Sequence, residues 1–336
     1  MILHASLRDA GELKSALGQG FEIDVVQLQR GDFASRLLRL ELPGVALTWG
    51  SLTRTIEIAG VARQQLNMLA TRSCPRPLVL NGRTLEPENL VAASHGREHR
   101  FVVPAAFEGL VMEFSDPIIG KASLPADLVL GQARPLVTFA GTALRQAAFY
   151  RSEASRRGLA ARSIELLLRS LPVSEPDRSR SEWSGARRRA ALRAADLIHQ
   201  NPREPLTLGL LCQHAHVSER TLRSGFADLF GMGPNEYVRV VRLNRVRRRL
   251  QEASPCTTTV TEVAMEWGFW QMAHFASYYR GFFGELPSET LRGPASTLTF
   301  RGWSSPSPAG LCRRLGSSYP DVYPESAGSE RVKAAP

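Results

Sequence analysis

LTLGLLCQHAHVSERTLRSGFADLFGMGP (residues 206–234) and VTEVAMEWGFWQMAHFASYYRGFFGELP (residues 260–287) are two copies of one pattern. Leu208 aligns with Val260, Leu211 with Val263, Cys212 with Ala264 and Val217 with Phe269. Past the turn the offset grows by one residue. Leu222 then aligns with Phe275, Phe226 with Tyr279, Phe230-Gly231 with Phe283-Gly284 and Pro234 with Pro287. Each copy reads as a helix, a tight turn and a second helix. Two such units on one chain predict two reading helices at a fixed separation, hence an extended DNA site.

In the first unit, Thr207–His214 reads as the leading helix and Ala215-His216-Val217 as the turn. Ser218 is placed to cap the next helix by accepting a backbone N–H, and is also a candidate phosphate contact. Burial of Leu222, Phe226 and Leu229 would leave Glu219, Arg220, Arg223 and Ser224 facing outward. An arginine offers two parallel donors that match O6 and N7 of guanine, so Arg220 and Arg223 are candidate base readers, with Ser224 beside them. The second unit runs Thr259–Trp267, turns at Gly268-Phe269 and continues as a helix from about Gln271 to Phe283. Gly268 suits a turn that needs positive φ, a conformation its counterpart His216 reaches less easily. Gln271, Met272, His274 and Ser277 are expected outside, where glutamine pairs with adenine and methionine meets a thymine methyl group. That face holds fewer strong donors, which shifts its expected contribution towards shape readout.

A helix over Pro234–Glu252 links the units, with proline in the first turn, where no N–H is needed. Tyr237, Val240, Leu243, Val246 and Leu250 fall on one side, and Arg242, Arg245 and Arg249 on another. It reads as a rigid spacer. Arg242, Arg245 and, on the second reading helix, Arg280 are candidate phosphate contacts. Before the first unit, a helix over Arg187–Gln200 is stopped by Asn201-Pro202.

The net charge of +10 over 336 residues comes almost wholly from arginine, much of it in this same segment. That balance favours nucleic acid as a partner. No apolar run reaches membrane-spanning length, and no signal peptide is legible. The four cysteines, Cys74, Cys212, Cys256 and Cys312, lie far apart without metal-ligand spacing, which fits a reducing cytoplasm, with nucleoid association for a DNA-binding chain.

Upstream, residues 21–115 read as short strands (RLLRLEL, VALTWGSLT, RTIEIAG, HRFVVP) separated by turn signals at Pro43-Gly44, Asn81-Gly82, Glu86-Pro87-Glu88 and His95-Gly96. A sandwich or small barrel is expected, preceded by a weakly patterned leader over residues 1–20. Helices are expected over Pro135–Ala154 and Ser155–Leu171, and the second has an apolar face that could pack on the strands or on a second copy. The chain is therefore read as α+β with two domains. Residues 1–171 form a β-rich domain with a helical extension, 172–185 a polar linker, 186–293 an all-helical domain and 294–336 a disordered tail.

Residues 187–292 resemble the AraC/XylS family of bacterial transcription regulators. The resemblance is carried by HVSERTLRSGFADLFGMGPNEYVRVVRLNRVRRRL and VAMEWGFWQMAHFASYYRGFFGELPSE, including Ala264, Gly268-Phe269 and Gln271. Trp270 stands where the family carries a small polar residue, and Ser277 where many members carry arginine. The resemblance implies seven helices, two of them in adjacent major-groove faces of bent double-stranded DNA, and transcription activation through RNA polymerase. The N-terminal region is similar to cupin-like sensing domains, with a distant likeness to ethanolamine-operon regulators, which implies a small-molecule effector of unknown identity and allows a homodimer.

No phosphate-binding glycine loop, nucleophile elbow or paired-cysteine metal motif is present, so no enzyme, cofactor or metal is expected. His95 and His99 have helical spacing but sit in a strand-rich stretch beside Gly96, which spoils that geometry. The rival readings are a non-specific architectural DNA-binding protein and an enzyme hidden in the N-terminal barrel.

Overall fold

The computed structural model describes residues 2–17, 21–62, 66–85, 90–94, 96, 98–115, 129–130, 134–150, 152–170, 182–293 and 301–302. His95, Cys312, most of the expected linker (172–181) and all but two residues of the expected tail (294–300 and 303–336) lie outside the described residues.

The strands are β1 (Ile2–Leu7), β2 (Phe21–Gln27), β3 (Ser35–Leu42), β4 (Val45–Leu52), β5 (Ile56–Ala62), β6 (Leu66–Ser73), β7 (Leu78–Leu80), β8 (Arg83–Leu85), β9 (Leu90–Ser94), β10 (Glu98–Val103), β11 (Phe107–Phe114), β12 (Val129–Leu130) and β13 (Arg301–Gly302). They form a large sheet in the order β12-β9-β6-β11-β4-β3-β1-β13 and a small sheet in the order β2-β5-β10-β7-β8. Two of the hairpins follow directly from their turn residues. Pro43-Gly44 joins β3 to β4 with Leu42 opposite Val45, and Gly44 takes φ 71°. Asn81-Gly82 joins β7 to β8 with both residues at positive φ, the mirror-image turn that matches strand twist.

The two sheets face each other across a core that includes Leu7, Val25, Ile56, Leu80, Val103 and Phe107. The outer face of the large sheet is covered by α2 (Arg134–Arg145) and α3 (Glu153–Ser170), whose Leu136, Leu144, Leu159 and Leu167 pack on Leu40, Leu47, Met112 and Phe114. This sheet is thus covered on both faces, which is why β3 and β11 are buried along most of their length rather than at alternate positions.

The expectations for two segments change. Residues 2–17 of the expected weakly patterned leader include regular structure. β1 pairs antiparallel with β3 along its whole length, and a short helix α1 (Glu12–Ala16) buries Leu13 and Ala16. The helix expected over Pro135–Ala154 ends at Arg145. A 3-10 turn, Ala147–Phe149, follows, and α3 restarts where the Ser152 hydroxyl accepts the Ser155 N–H at 3.1 Å.

The C-terminal helices are α4 (Glu182–Gln200), α5 (Leu208–Ala215), α6 (Glu219–Phe230), α7 (Pro234–Glu252), α8 (Val260–Glu266), α9 (Met272–Phe283) and α10 (Pro287–Arg292). Helix α4 starts inside the stretch expected to be linker. Tyr237, Val240, Leu243 and Val246 of α7 lie at the centre of the helical core, between Leu222 and Phe226 of α6 and Phe275 and Tyr279 of α9. Gly225 lets α6 approach α4 closely, because a Cβ there would lie 2.5 Å from the Arg187 carbonyl oxygen and 3.1 Å from the Ala191 Cβ. Among the described residues no helix is long and apolar enough to cross a membrane.

The β-rich part and the helices belong to one compact unit, because the outer face of the small sheet packs on the helical core. Side chains alternate across a strand. Ile23, Val25, Ile56, Phe101 and Val103 therefore point into the sandwich, while Asp24, Val26, Glu57, Arg100 and Val102 point at the helices. Arg100 pairs with Glu57 and reaches Asp196 of α4 at 2.7 Å. Tyr237 donates to Glu57 at 2.5 Å, and His199 sits 3.5 Å from both Glu57 and Asp24. Asp24 accepts from Arg245 at 2.9 and 2.5 Å and from Arg248 at 2.7 Å. Arg247 meets Asp9 at 2.5 Å, and Gln27 and Asn244 exchange amide hydrogen bonds.

Burial opposes ionisation of Glu57, but the charges of His199 and Arg100 and the hydrogen bonds from His199 and Tyr237 hold its pKa down at about 2. Burial likewise works against a charged His199, yet Glu57 and a hydrogen bond to Asp24 outweigh it and raise the pKa above the ordinary 6.5. The raised histidine contributes stability below its unfolded pKa and loses it as pH rises through the folded value. The depressed carboxylate contributes above its unfolded pKa and loses it as pH falls. The melting temperature should therefore fall as pH rises through and above the ordinary histidine value of 6.5, and His199→Gln should flatten that decline in a pH series of thermal melts. Gly225→Ala should cost about 1–3 kcal/mol in urea denaturation, because the added methyl forces α4 and α6 apart.

Candidate nucleic-acid interface

Each helix-turn-helix unit is built from its own caps. Thr207 starts α5 by accepting the Leu210 N–H at 3.2 Å, and Thr259 starts α8 in a reciprocal capping box with Glu262. The turns differ as their sequences do. Gly268 takes φ 82°, and His216, against expectation, takes the same left-handed region at φ 54° and ψ 46°. His216 holds it because its N–H donates to Gln213, Val217 donates to Cys212, and the turn is closed by packing of Val217 on the core.

Ser218 caps α6, its hydroxyl accepting the Thr221 N–H at 3.3 Å. That helix buries Leu222, Gly225, Phe226, Leu229 and Phe230. Arg220 and Arg223 are exposed and Ser224 is half-buried. The Arg223 guanidinium lies 3.6 Å from Glu219 one turn back, with both side chains more than half exposed. Such a solvated pair contributes little and releases the arginine readily to another acceptor. The face is thus an arginine-bearing ridge at the start of a rigidly seated helix.

The second helix of the other unit, α9, buries Phe275, Tyr279, Phe282 and Phe283. Gln271 occupies the N-cap position with no side-chain cap bond, so its amide is not engaged in capping. Gln271, His274, Ser277 and Arg280 are exposed. Met272 departs from expectation: it is half-buried and packs against the helical core, so its methyl end is partly spent on folding. Trp270, just before the cap, is 70 % exposed. With Gln271, His274, Tyr278 and Arg239 it borders an open groove of about 460 Å³.

Two of the expected phosphate contacts have partners within the chain. Arg242 donates to the carbonyl oxygens of Pro202 at 2.8 Å and Glu204 at 2.6 Å, so its fork ties α7 to the loop after α4. Arg245 is held by Asp24 in a two-bond ion pair. Both are occupied within the chain, as are Arg247 and Arg248. The arginine stripe on α7 looked like a nucleic-acid face because two of its carboxylate partners, Asp9 and Asp24, lie more than 200 residues earlier. The contact between Arg30 and Tyr278, described below, had no local signal at all. Among the described residues no group of three or more His, Cys, Asp or Glu side chains could hold a metal ion. His99 lines the cavity inside the sandwich.

A family model described as a helix-turn-helix domain matches residues 211–293. The "Probable thc operon regulatory protein" of Rhodococcus erythropolis is 35% identical over 108 residues, which is 32% of this chain and 31% of that protein. The "XylDLEGF operon transcriptional activator 3" of Pseudomonas putida is 37% identical over 100 residues, 30% of each chain. The chain spans about a third of the length of these curated relatives. A solved structure of a probable AraC family transcriptional regulator from Rhodopseudomonas palustris CGA009 is 36% identical, covering 31% of this chain and 94% of that one, with a TM-score of 0.29. The shared stretch is the one that carries both helix-turn-helix units, and over it the chain is similar to AraC-family transcriptional regulators.

Proposed function

We propose that the chain is a sequence-specific DNA-binding transcription regulator, an effector-responsive activator that reads adjacent major-groove faces with α6 and α9. The observation that carries this reading is the pair of core-seated helices whose outer faces present Arg220 and Arg223 in one unit and Gln271, His274 and Ser277 in the other. Arginine and glutamine forks match guanine and adenine edges, and exposed Arg280 is available to phosphate. The named relatives, an operon activator and an operon regulator, favour the same role, and an activator's role carries contact with RNA polymerase as part of the proposal.

The β-rich part is read as a cupin-like sensing domain. Between its sheets lies a cavity of about 110 Å³, lined by apolar residues such as Leu37, Ile56, Leu69 and Val111, with Ser35, Thr48, Asn67 and His99 as polar points. A small, mainly apolar effector fits that lining. The same strands that line the cavity present Asp24, Glu57 and Arg100 to the helices, so an occupant that shifts β2, β5 or β10 shifts the ion pairs that hold α4 and α7. Leu168 and Phe149, exposed on the helical layer, favour a homodimer through that face.

Footprinting of the full-length chain on genomic fragments tests the reading: a discrete asymmetric site, one to two helical turns long, is expected. Diffuse protection lost with modest added salt would instead support the architectural reading. On the discrete site, Arg223→Ala should cost about 1–3 kcal/mol and relax the preference at one base pair, measured by binding to a panel of single-base variants.

A further inference from the structure

Most arginines of α7 are consumed by carboxylates or carbonyls, and Arg239 stands apart. It has no ion-pair partner among the described residues, and its guanidinium lies 5.1 Å from the centre of the Tyr278 ring on α9. A second guanidinium, Arg30, lies 5.2 Å from the same ring centre. Arg30 comes from the other part of the fold, in the loop between β2 and β3. Its nearest carboxylate, Glu236, is 3.8 Å away and about half exposed, so it screens the charge only weakly.

The loop that carries Arg30 is fixed at both ends. The buried Gln27 amide donates to the carbonyls of Gln29 at 2.7 Å and Gly31 at 2.8 Å. The Gly31 N–H in turn donates to the Phe282 carbonyl at 2.8 Å, capping an orphan acceptor at the end of α9. Arg30 is thereby positioned against the second reading helix before any ligand arrives. Two guanidiniums on one aromatic ring repel each other, and an anion seated beside both relieves that repulsion. Tyr278 and Arg239 border the same open groove as Gln271 and His274, the outward residues of α9.

We propose that the β2–β3 loop belongs to the DNA-contacting surface, with Arg30 and Arg239 forming a phosphate site beside the second reading helix. The inference rests on the DNA-binding reading above. It makes the β-rich part a direct contributor to affinity rather than a sensor alone. The anchoring of the loop on α9 also means that a displacement of β2 would move a phosphate contact.

The test is a salt titration of full-length protein on labelled duplex DNA of mixed sequence, followed by fluorescence anisotropy between about 50 and about 200 mM salt. Each phosphate contact adds about 0.9 to the slope of log affinity against log salt. Arg30→Ala and Arg239→Ala should each lower the slope by about that amount, and the double variant by about twice as much. Arg30→Lys keeps the charge and should keep the slope. Arg157→Ala removes an exposed arginine paired with Glu153 on α3 and should leave it unchanged. Wild-type slopes in Arg30→Ala and Arg239→Ala, with wild-type protein binding normally, overturn the inference and leave the proposed function standing. Failure of the wild-type chain to bind duplex DNA overturns both.

Discussion

The structure depends on the buried ionic layer between the small sheet and the helices, centred on Glu57, Arg100, Tyr237, His199 and Asp24. Charges taken out of water are costly, and each here is compensated only because several partners converge on it. Glu57 is met by Arg100, Tyr237 and His199, and Asp24 by Arg245, Arg248 and His199. Such a layer fixes orientation more than it adds stability, because a small slip leaves several buried charges unpaired at once. An apolar interface of the same area would tolerate sliding.

That layer also decides which arginines are left at the surface. The chain carries a surplus of positive charge, and the β-rich part neutralises much of what lies on α7. What remains outward is concentrated on α6 and around α9, where Arg220, Arg223, Arg280, Arg239 and Arg30 are exposed. The two units are correspondingly unequal. The first offers strong guanidinium donors on its reading face. The second offers an amide, an imidazole and a hydroxyl, flanked by an exposed tryptophan and a pair of cations stacked on one tyrosine.

Much of the helical region was legible because its signals are local. Caps at Thr207, Ser218 and Thr259, the proline at the start of α7 and apolar residues at three- and four-residue spacing each act within one or two turns of helix. The Asn81-Gly82 hairpin was legible for the same reason. His216 was misjudged because the cost of a left-handed residue is set by the chain around it, and here packing of the turn outweighs it. The pairing of β1 with β3 went unseen because strand partners are chosen by the whole sheet.

The sequence by itself determined that two helix-turn-helix units exist, where their helices begin and end, and which residues form their buried and outward faces. All of these follow from periodicity and capping within short windows. Only the tertiary structure decided that Arg242 and Arg245 find partners within the chain, that Met272 is half spent on the core, and that Arg30 stands against Tyr278 of α9. The physical reason is that a charge's role depends on its nearest counter-charge. Asp24 and Arg245 become neighbours only when a β-sheet and a helix more than 200 residues apart are packed face to face.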